Sequence, residues 1–213
     1  MEMFHGKTYD PAAMNNLDQP LEILASGLGF KQYPCCGGLA SVVDNMITLR
    51  RKHGLTPQLI QAIECRVHPN RITYLDRPQA SEPLEAKFSI QYCAATALLH
   101  GRLGLEHFAG ENLTRAETHA IMNKVRITPT EEFGGFGSEV KVKAADGREF
   151  SGTQPESKGS PTFPLTETEI LAKFVDCATT TLSSARAEEA GAALMSVQSA
   201  PTLGAIARLL APE

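Results

Sequence analysis

The sequence predicts an α+β protein: a mixed α+β unit followed by a purely helical end. Three observations carry this. Apolar residues recur at helical spacing in Leu39, Val42, Val43, Met46 and Leu49. They alternate at strand spacing over residues 60–67 and again in Val140, Val142 and Ala144. After a loop rich in Gly, Ser, Pro and Thr at residues 151–164, only helical patterns return.

The elements follow in order. Asp10-Pro11 starts a short helix through Met14 and Leu17, but this opening has few apolar residues and no matching partner. It reads as the tail of something larger. The first full helix begins after Tyr33-Pro34-Cys35-Cys36-Gly37-Gly38. Arg50, Arg51, Lys52 and His53 fill its last turn, where cations favour the helix dipole, and Gly54 is a natural stop. In residues 60–67, Ile63, Cys65 and Val67 share one face and Glu64 and Arg66 the other, a half-buried strand ending at Pro69.

Ser81-Glu82-Pro83 opens a second helix with a cap residue and a first-turn proline. Its apolar stripe runs Leu84, Phe88, Tyr92, Ala95 and Leu99, and it stops at Gly101. A shorter helix covers residues 115–123, and strands cover 124–128 and 139–151, with Asp146-Gly147 as a hairpin turn. Thr166 to Glu169 forms a capping box ahead of Ile170, Leu171, Phe174, Val175 and Ala178. Ala187 to Val197 and Pro201 to Leu210 continue as helices.

Length and composition exclude several classes. At 213 residues, with 42% hydrophobic and 21% charged residues, the chain can bury a core without disulfides or metal. A net charge of -4 gives no electrostatic case for nucleic acid. No apolar run approaches the roughly 18 residues of a membrane span. Met1-Glu2-Met3-Phe4-His5-Gly6 lacks the regions of a secretory signal, and five cysteines leave an odd one over, so reduced thiols in a cytoplasm are expected.

Few residues carry chemistry on type alone. Lys31 precedes a turn that opens a helix, where outward N–H groups favour anions. It reads either as a solvated surface lysine or as a carboxylate ligand, or as a base if burial lowers its pKa. Tyr92 lies on an apolar stripe, which makes core packing its first reading, although a buried hydroxyl needs a partner. Cys35-Cys36 lacks the spacing of zinc and redox sites, the other cysteines sit in apolar stripes, and the six histidines are scattered. No metal site and no cofactor is expected. Gly134-Gly135-Phe136-Gly137 is a loop between strands and lacks the arrangement that holds a dinucleotide.

Lys31-Gln32-Tyr33-Pro34-Cys35-Cys36-Gly37-Gly38 resembles the MmgE/PrpD family, which includes 2-methylcitrate dehydratases. The same order of features follows: Asp44 in the first helix, Tyr74-Leu75-Asp76-Arg77-Pro78, and then Glu85-Ala86-Lys87-Phe88-Ser89-Ile90-Gln91-Tyr92-Cys93. Lys158-Gly159-Ser160-Pro161, Pro164-Leu165 and Lys173-Phe174 resemble the return into the family's helical domain. Members pair a large helical domain with a smaller α+β lid, with an acidic substrate between them, and are typically about twice this length. The resemblance implies that residues 1–27 are a remnant of the helical domain. Residues 28–160 would be the lid, and 161–213 C-terminal helices belonging to the all-α domain.

It also implies a metal-independent lyase acting on a small di- or tricarboxylate. The reaction would be proton abstraction beside a carboxylate, then loss of water or carbon dioxide, or epimerisation. Lys31 matches a lysine of the family's active site and Tyr92 a tyrosine near it, with Cys36, Gly37 and Gly38 placed to bind substrate. Two departures stand out. Leu39-Ala40 occupies the place where many members carry a His, and others carry one where Cys36 stands. The histidines of the helical domain have no counterpart, and a proton-transfer group must lie within hydrogen-bond reach of its proton. The rival reading is therefore a non-catalytic or partner-dependent lid. Exposed apolar surface is expected on the C-terminal helices unless a second copy or a complementing helical chain covers it.

Overall fold

A computed structural model describes residue 12 and residues 20–211. Met14 and Leu17, and with them the short opening helix, lie outside the described residues, as does most of the 1–27 segment. A single helical turn at Glu22–Ala25 leads to helix α1, Ala40–His53. Strand β1, Ile60–Val67, passes into α2, Pro69–Leu75. A single turn at Pro83–Ala86 and helix α3, Ile90–His100, come next. Then follow α4, Ala116–Met122, and strands β2, Val125–Pro129, β3, Ser138–Ala144, and β4, Glu149–Gln154. Helices α5, Glu167–Ala178, α6, Ser184–Met195, and α7, Leu203–Leu210, complete the described chain. The α+β class read from the sequence is the class observed.

The strands form one sheet in the order β2-β1-β3-β4. β1 and β2 are parallel, with Ile63 beside Val125, and α2 to α4 make the crossover between them. β3 runs antiparallel to β1, with Val140 opposite Cys65, and turns at Asp146-Gly147 into β4. Period-two patterning decides which face is covered. Ile63, Cys65, Val67, Val140 and Val142 are buried under α1 and α3, and Lys141 and Lys143 remain exposed on the other face. Arg66 on that open face is held by Glu139 at 2.6 Å and Glu132 at 2.8 Å.

One sequence expectation is revised. The second helix is not continuous from Pro83, because the chain breaks before Ser89. The Ser89 hydroxyl accepts the Tyr92 N–H at 3.0 Å and donates to the Arg77 carbonyl at 2.7 Å. A serine with both bonds is better used as a cap than inside a helix. Leu84 is consequently exposed, and α3 is buried on all sides from Ile90 to Leu98 instead of along one stripe. Helix α2, a segment to which sequence reading assigns no element, follows β1: Pro69 occupies its first turn, and the His68 ring accepts the Asn70 N–H at 3.3 Å.

The main apolar core runs from Tyr33 to Val142, and the buried Ala187, Ala190 and Ile206 of the C-terminal helices lie outside it. The capping box of Thr166 and Glu169 starts α5 as the sequence predicts, yet α5 buries none of its residues completely. Leu203 on α7 is 70% exposed. One exposed ion pair, Arg102–Asp176 at 2.6 Å, reaches from the end of α3 to α5. Pairs of this kind contribute about 0–1 kcal/mol.

His107 and His100 make the fold sensitive to acid. Their rings lie 4.6 Å apart, and His107 Nδ1 accepts the Gly104 N–H at 2.9 Å, which requires an unprotonated nitrogen. Burial lowers both pKa values below the ordinary 6.5, with Glu106 opposing and His100 adding to the effect at His107, and Arg115 adding at His100. The unfolded chain then binds more protons. The stabilisation is complete above pH 6.5 and is lost as pH falls through that value and past the lowered ones. Urea midpoints taken between about pH 7 and pH 5 should fall more steeply for the wild type than for His107→Gln.

Candidate functional site

The turn before α1 builds one wall of a cavity. The Cys36 N–H donates to the Lys87 carbonyl at 2.9 Å, which pins the turn against the segment before α3. From there the 3₁₀ turn Gly37–Leu39 runs straight into α1, and neither first turn contains an acidic residue. No carboxylate within either first turn therefore offsets the positive end of this helix start. Beside it lies a cavity of about 260 Å³ whose walls include Lys31, Tyr33, Cys36, Gly37, Phe136 and Lys158.

The side chains around it are polarised in a definite way. Lys31 is exposed, and its stem lies along Gly37: a Cβ added at Gly37 would sit 3.9 Å from Lys31 Cε. Tyr33 donates its hydroxyl to Asp44 Oδ1 at 2.5 Å. Burial raises the Tyr33 pKa far above its usual value, and the Asp44 carboxylate raises it further, so this hydroxyl is a donor and not a base. Asp44 Oδ2 has no protein partner among the described residues. Burial raises the Asp44 pKa, while the Tyr33 bond and the charge of Lys158 work against it. Lys158 pairs with Glu169, and this bond, with the cap contacts to Thr166, holds the Glu169 carboxyl below its usual range.

Two stretches of chain cross side by side under the cavity. The Phe30 N–H donates to the Gly159 carbonyl at 2.7 Å, and the Gly159 N–H to the Phe163 carbonyl at 2.8 Å. Lys31 and Lys158, distant in sequence, reach one cavity through this crossing.

Of the residues nominated from sequence, Lys31, Cys36 and Gly37 meet at the cavity. Gly38 faces the other way: a Cβ there would lie 3.2 Å from Leu75 Cδ1 and 3.5 Å from the Tyr74 hydroxyl. Tyr92 is placed elsewhere. It is 1% exposed, donates its hydroxyl to the His107 carbonyl, packs against Phe108 at 5.7 Å, and is not among the cavity's lining residues. Sequence reading missed the place of Lys158 in the wall and gave no role to Arg71 of α2, a helix whose one sign in the sequence was Pro69. Cys65 is buried, which pushes its thiol up to about 12, and Cys93 is buried with it, in keeping with core roles. Among the described residues no group of three or more His, Cys, Asp or Glu could hold a metal ion. No helix among them is long and apolar enough to cross a membrane.

The chain matches the MmgE/PrpD C-terminal domain over residues 33–197. It is 26% identical over 178 residues to the cis-aconitate decarboxylase of Mus musculus, covering 78% of this chain and 36% of that protein. With the cis-aconitate decarboxylase of Homo sapiens it shares 26% identity over 156 residues, 69% of this chain and 32% of that one. The chain thus spans about a third of the length of the curated relatives it matches. The matched segment holds all four strands, the glycine turn and Lys158, and it begins two residues after Lys31. The chain belongs to the MmgE/PrpD family.

Proposed function

We propose that the chain contributes the lid side of a lyase-type site for a small di- or tricarboxylate. The reaction is either abstraction of a proton next to a carboxylate with expulsion of the neighbouring hydroxyl as water, as in a 2-methylcitrate dehydratase, or loss of carbon dioxide from a carboxylate with a proton delivered to the carbon left behind. The observation that carries this reading is the pairing of Lys31 with an acid-free helix start at one cavity. Two sources of positive potential there border a space of about 260 Å³, large enough for a small polyanion, and Glu156 in its wall supplies one opposing charge. Lys31 binds a carboxylate or takes part in the proton transfer, and Cys36 and Gly37 form the wall against which the ligand rests. The relatives bear the name cis-aconitate decarboxylase, which puts cis-aconitate among the acids to test.

In this reading residues 28–160 are the lid, and 161–213 belong with an all-α domain. A second copy or a complementing helical chain covers the half-exposed face of α5 and the exposed Met195 and Leu203. The test is proton NMR of the folded chain in D2O with 2-methylcitrate, citrate and cis-aconitate. Lysine-dependent exchange of the acidic C–H is expected, and Lys31→Ala should slow it by about 10²-fold or more, the usual contribution of a positioned acid or base. Equal exchange in Lys31→Ala would remove the lysine from the mechanism. A second reading, a lid that works only with a partner chain, is favoured by the uncovered face of α5. It requires silence from the chain alone and exchange once a complementing helical chain is added.

A further inference from the structure

We propose that Phe30 and Phe136 form an apolar clamp at this cavity and decide which acids it accepts, favouring a carboxylate that bears an alkyl or alkenyl group over one that is polar on every side. The proposal rests on the carboxylate reading given above and names the groups that meet the part of the ligand Lys31 does not hold.

Both residues line the cavity, and Phe30 is 47% and Phe136 57% exposed. Single apolar side chains on a surface are ordinary, but two large rings left open at one concavity forgo the gain of burying them. Neither is exposed because its backbone is loose. The Phe136 carbonyl accepts the Ser157 hydroxyl at 3.1 Å. The carbonyls on either side of it accept Arg71 Nη1, that of Gly137 at 2.6 Å and that of Gly135 at 3.3 Å. The Gly137 N–H returns to the Gly134 carbonyl at 3.1 Å, and a Cβ at Gly137 would run into the Pro155 carbonyl. The run Gly134-Gly135-Phe136-Gly137 thus presents a single side chain on a braced tip. Phe30 is held in its turn by the bond from its N–H to the Gly159 carbonyl.

The charges of the wall call for such a ligand. Lys158 is paired with Glu169, and Glu156 accepts the Thr162 hydroxyl. Lys31 makes no ion pair among the described residues. With the acid-free start of α1 it can hold a carboxylate, but the wall offers no second unpaired cation for the rest of the molecule. Phe30, Phe136, Ala40 and Pro161 in the same wall offer contact without charge. A few polar groups that fix one end of a ligand and an apolar surface that receives the remainder are the usual division of labour in a small-molecule site. The space of about 260 Å³ is of small-molecule size, which favours a small acid over a segment of a partner chain as its occupant. Rings held in place before binding lose little freedom when the ligand arrives.

The experiment uses the full chain with ring-¹³C-labelled phenylalanine and compares succinate with 2,2-dimethylsuccinate, dicarboxylates that differ only in two methyl groups. NMR titrations at matched ionic strength give the dissociation constant of each. The dimethyl acid should bind about tenfold more tightly, the gain expected from moving two methyl groups out of water, and should shift the ring resonances of Phe30 and Phe136. Phe30→Ala and Phe136→Ala should each cut that ratio to about threefold or less, because each removes part of the apolar surface. Lys31→Ala should instead weaken both acids and keep the ratio. Should a variant fail to fold, the wild-type ratio and ring shifts decide. A ratio near one in the wild type, or a ratio that either phenylalanine substitution leaves unchanged, overturns the proposal, and Lys31-dependent binding of both acids then leaves the proposed function standing. Ring resonances that follow protein concentration and ignore the acid also overturn it and indicate an interface between copies. A wild-type chain that binds neither acid overturns both.

Discussion

Gly159→Ala is expected to destabilise the folded chain by about 2–4 kcal/mol and to abolish carboxylate binding at the cavity. Gly159 has a φ of +92°, a region that L side chains rarely adopt, and a Cβ there would run into the carbonyl oxygen of Phe30. Conformation alone costs about 1–2 kcal/mol. The clash adds to it because the obstacle is backbone, and that backbone is fixed by the bond from Phe30 N–H to the Gly159 carbonyl. Relief requires the two crossing segments to part. Those segments carry Lys31 and Lys158, so the cavity loses its geometry together with the stability. Gly147→Ala is the internal control. It has a φ of +86° in the β3–β4 turn but nothing within 4 Å of the added Cβ, so only the conformational cost of about 1–2 kcal/mol should appear. Urea unfolding of both variants measures the difference, and equal losses would show that the crossing yields easily.

The comparison of these two glycines also shows what the sequence could reveal. Asp146-Gly147 was legible as a turn because its meaning is local: a two-residue turn signal in the short connection between alternating strands. The importance of Gly159 depends on Phe30, far along the chain, and nothing near residue 159 signals it. The same division runs through the fold. Helix α1, strand β1 and the Thr166–Glu169 capping box are written in contiguous residues and could be read directly. The break before α3 could not, since Ser89 caps it partly through its bond to Arg77. The burial of α3 on every side is likewise set by the elements packed around it. In the site, Lys31, Cys36 and Gly37 fall within one short turn and were readable together. Lys158 joins them only through tertiary structure.

Tyr92 provides the sharpest separation of packing from chemistry. Tyr92→Phe is expected to cost about 1–2 kcal/mol, because it removes the hydroxyl that satisfies the His107 carbonyl in a buried setting. Tyr92→Ala should cost about 3–5 kcal/mol, since the ring fills space between α3 and Phe108 with almost no surface left to relax into. Burial also raises the Tyr92 pKa, which keeps the hydroxyl protonated and suits a donor to a carbonyl better than a base. A hydroxyl committed to His107 cannot also reach a ligand at the cavity, whose lining does not include it. Lys31-dependent exchange in Tyr92→Phe should therefore stay within about twofold of the wild type under conditions where both are folded, far from the 10²-fold or larger loss expected when an acid or base is removed. The two readouts must be taken on the same sample, because a destabilised lid would lose exchange merely by unfolding. A large loss of exchange with unchanged urea stability would mean that Tyr92 leaves His107 during turnover. The segment Leu105–Phe108, which carries His107, would then have to move when ligand binds.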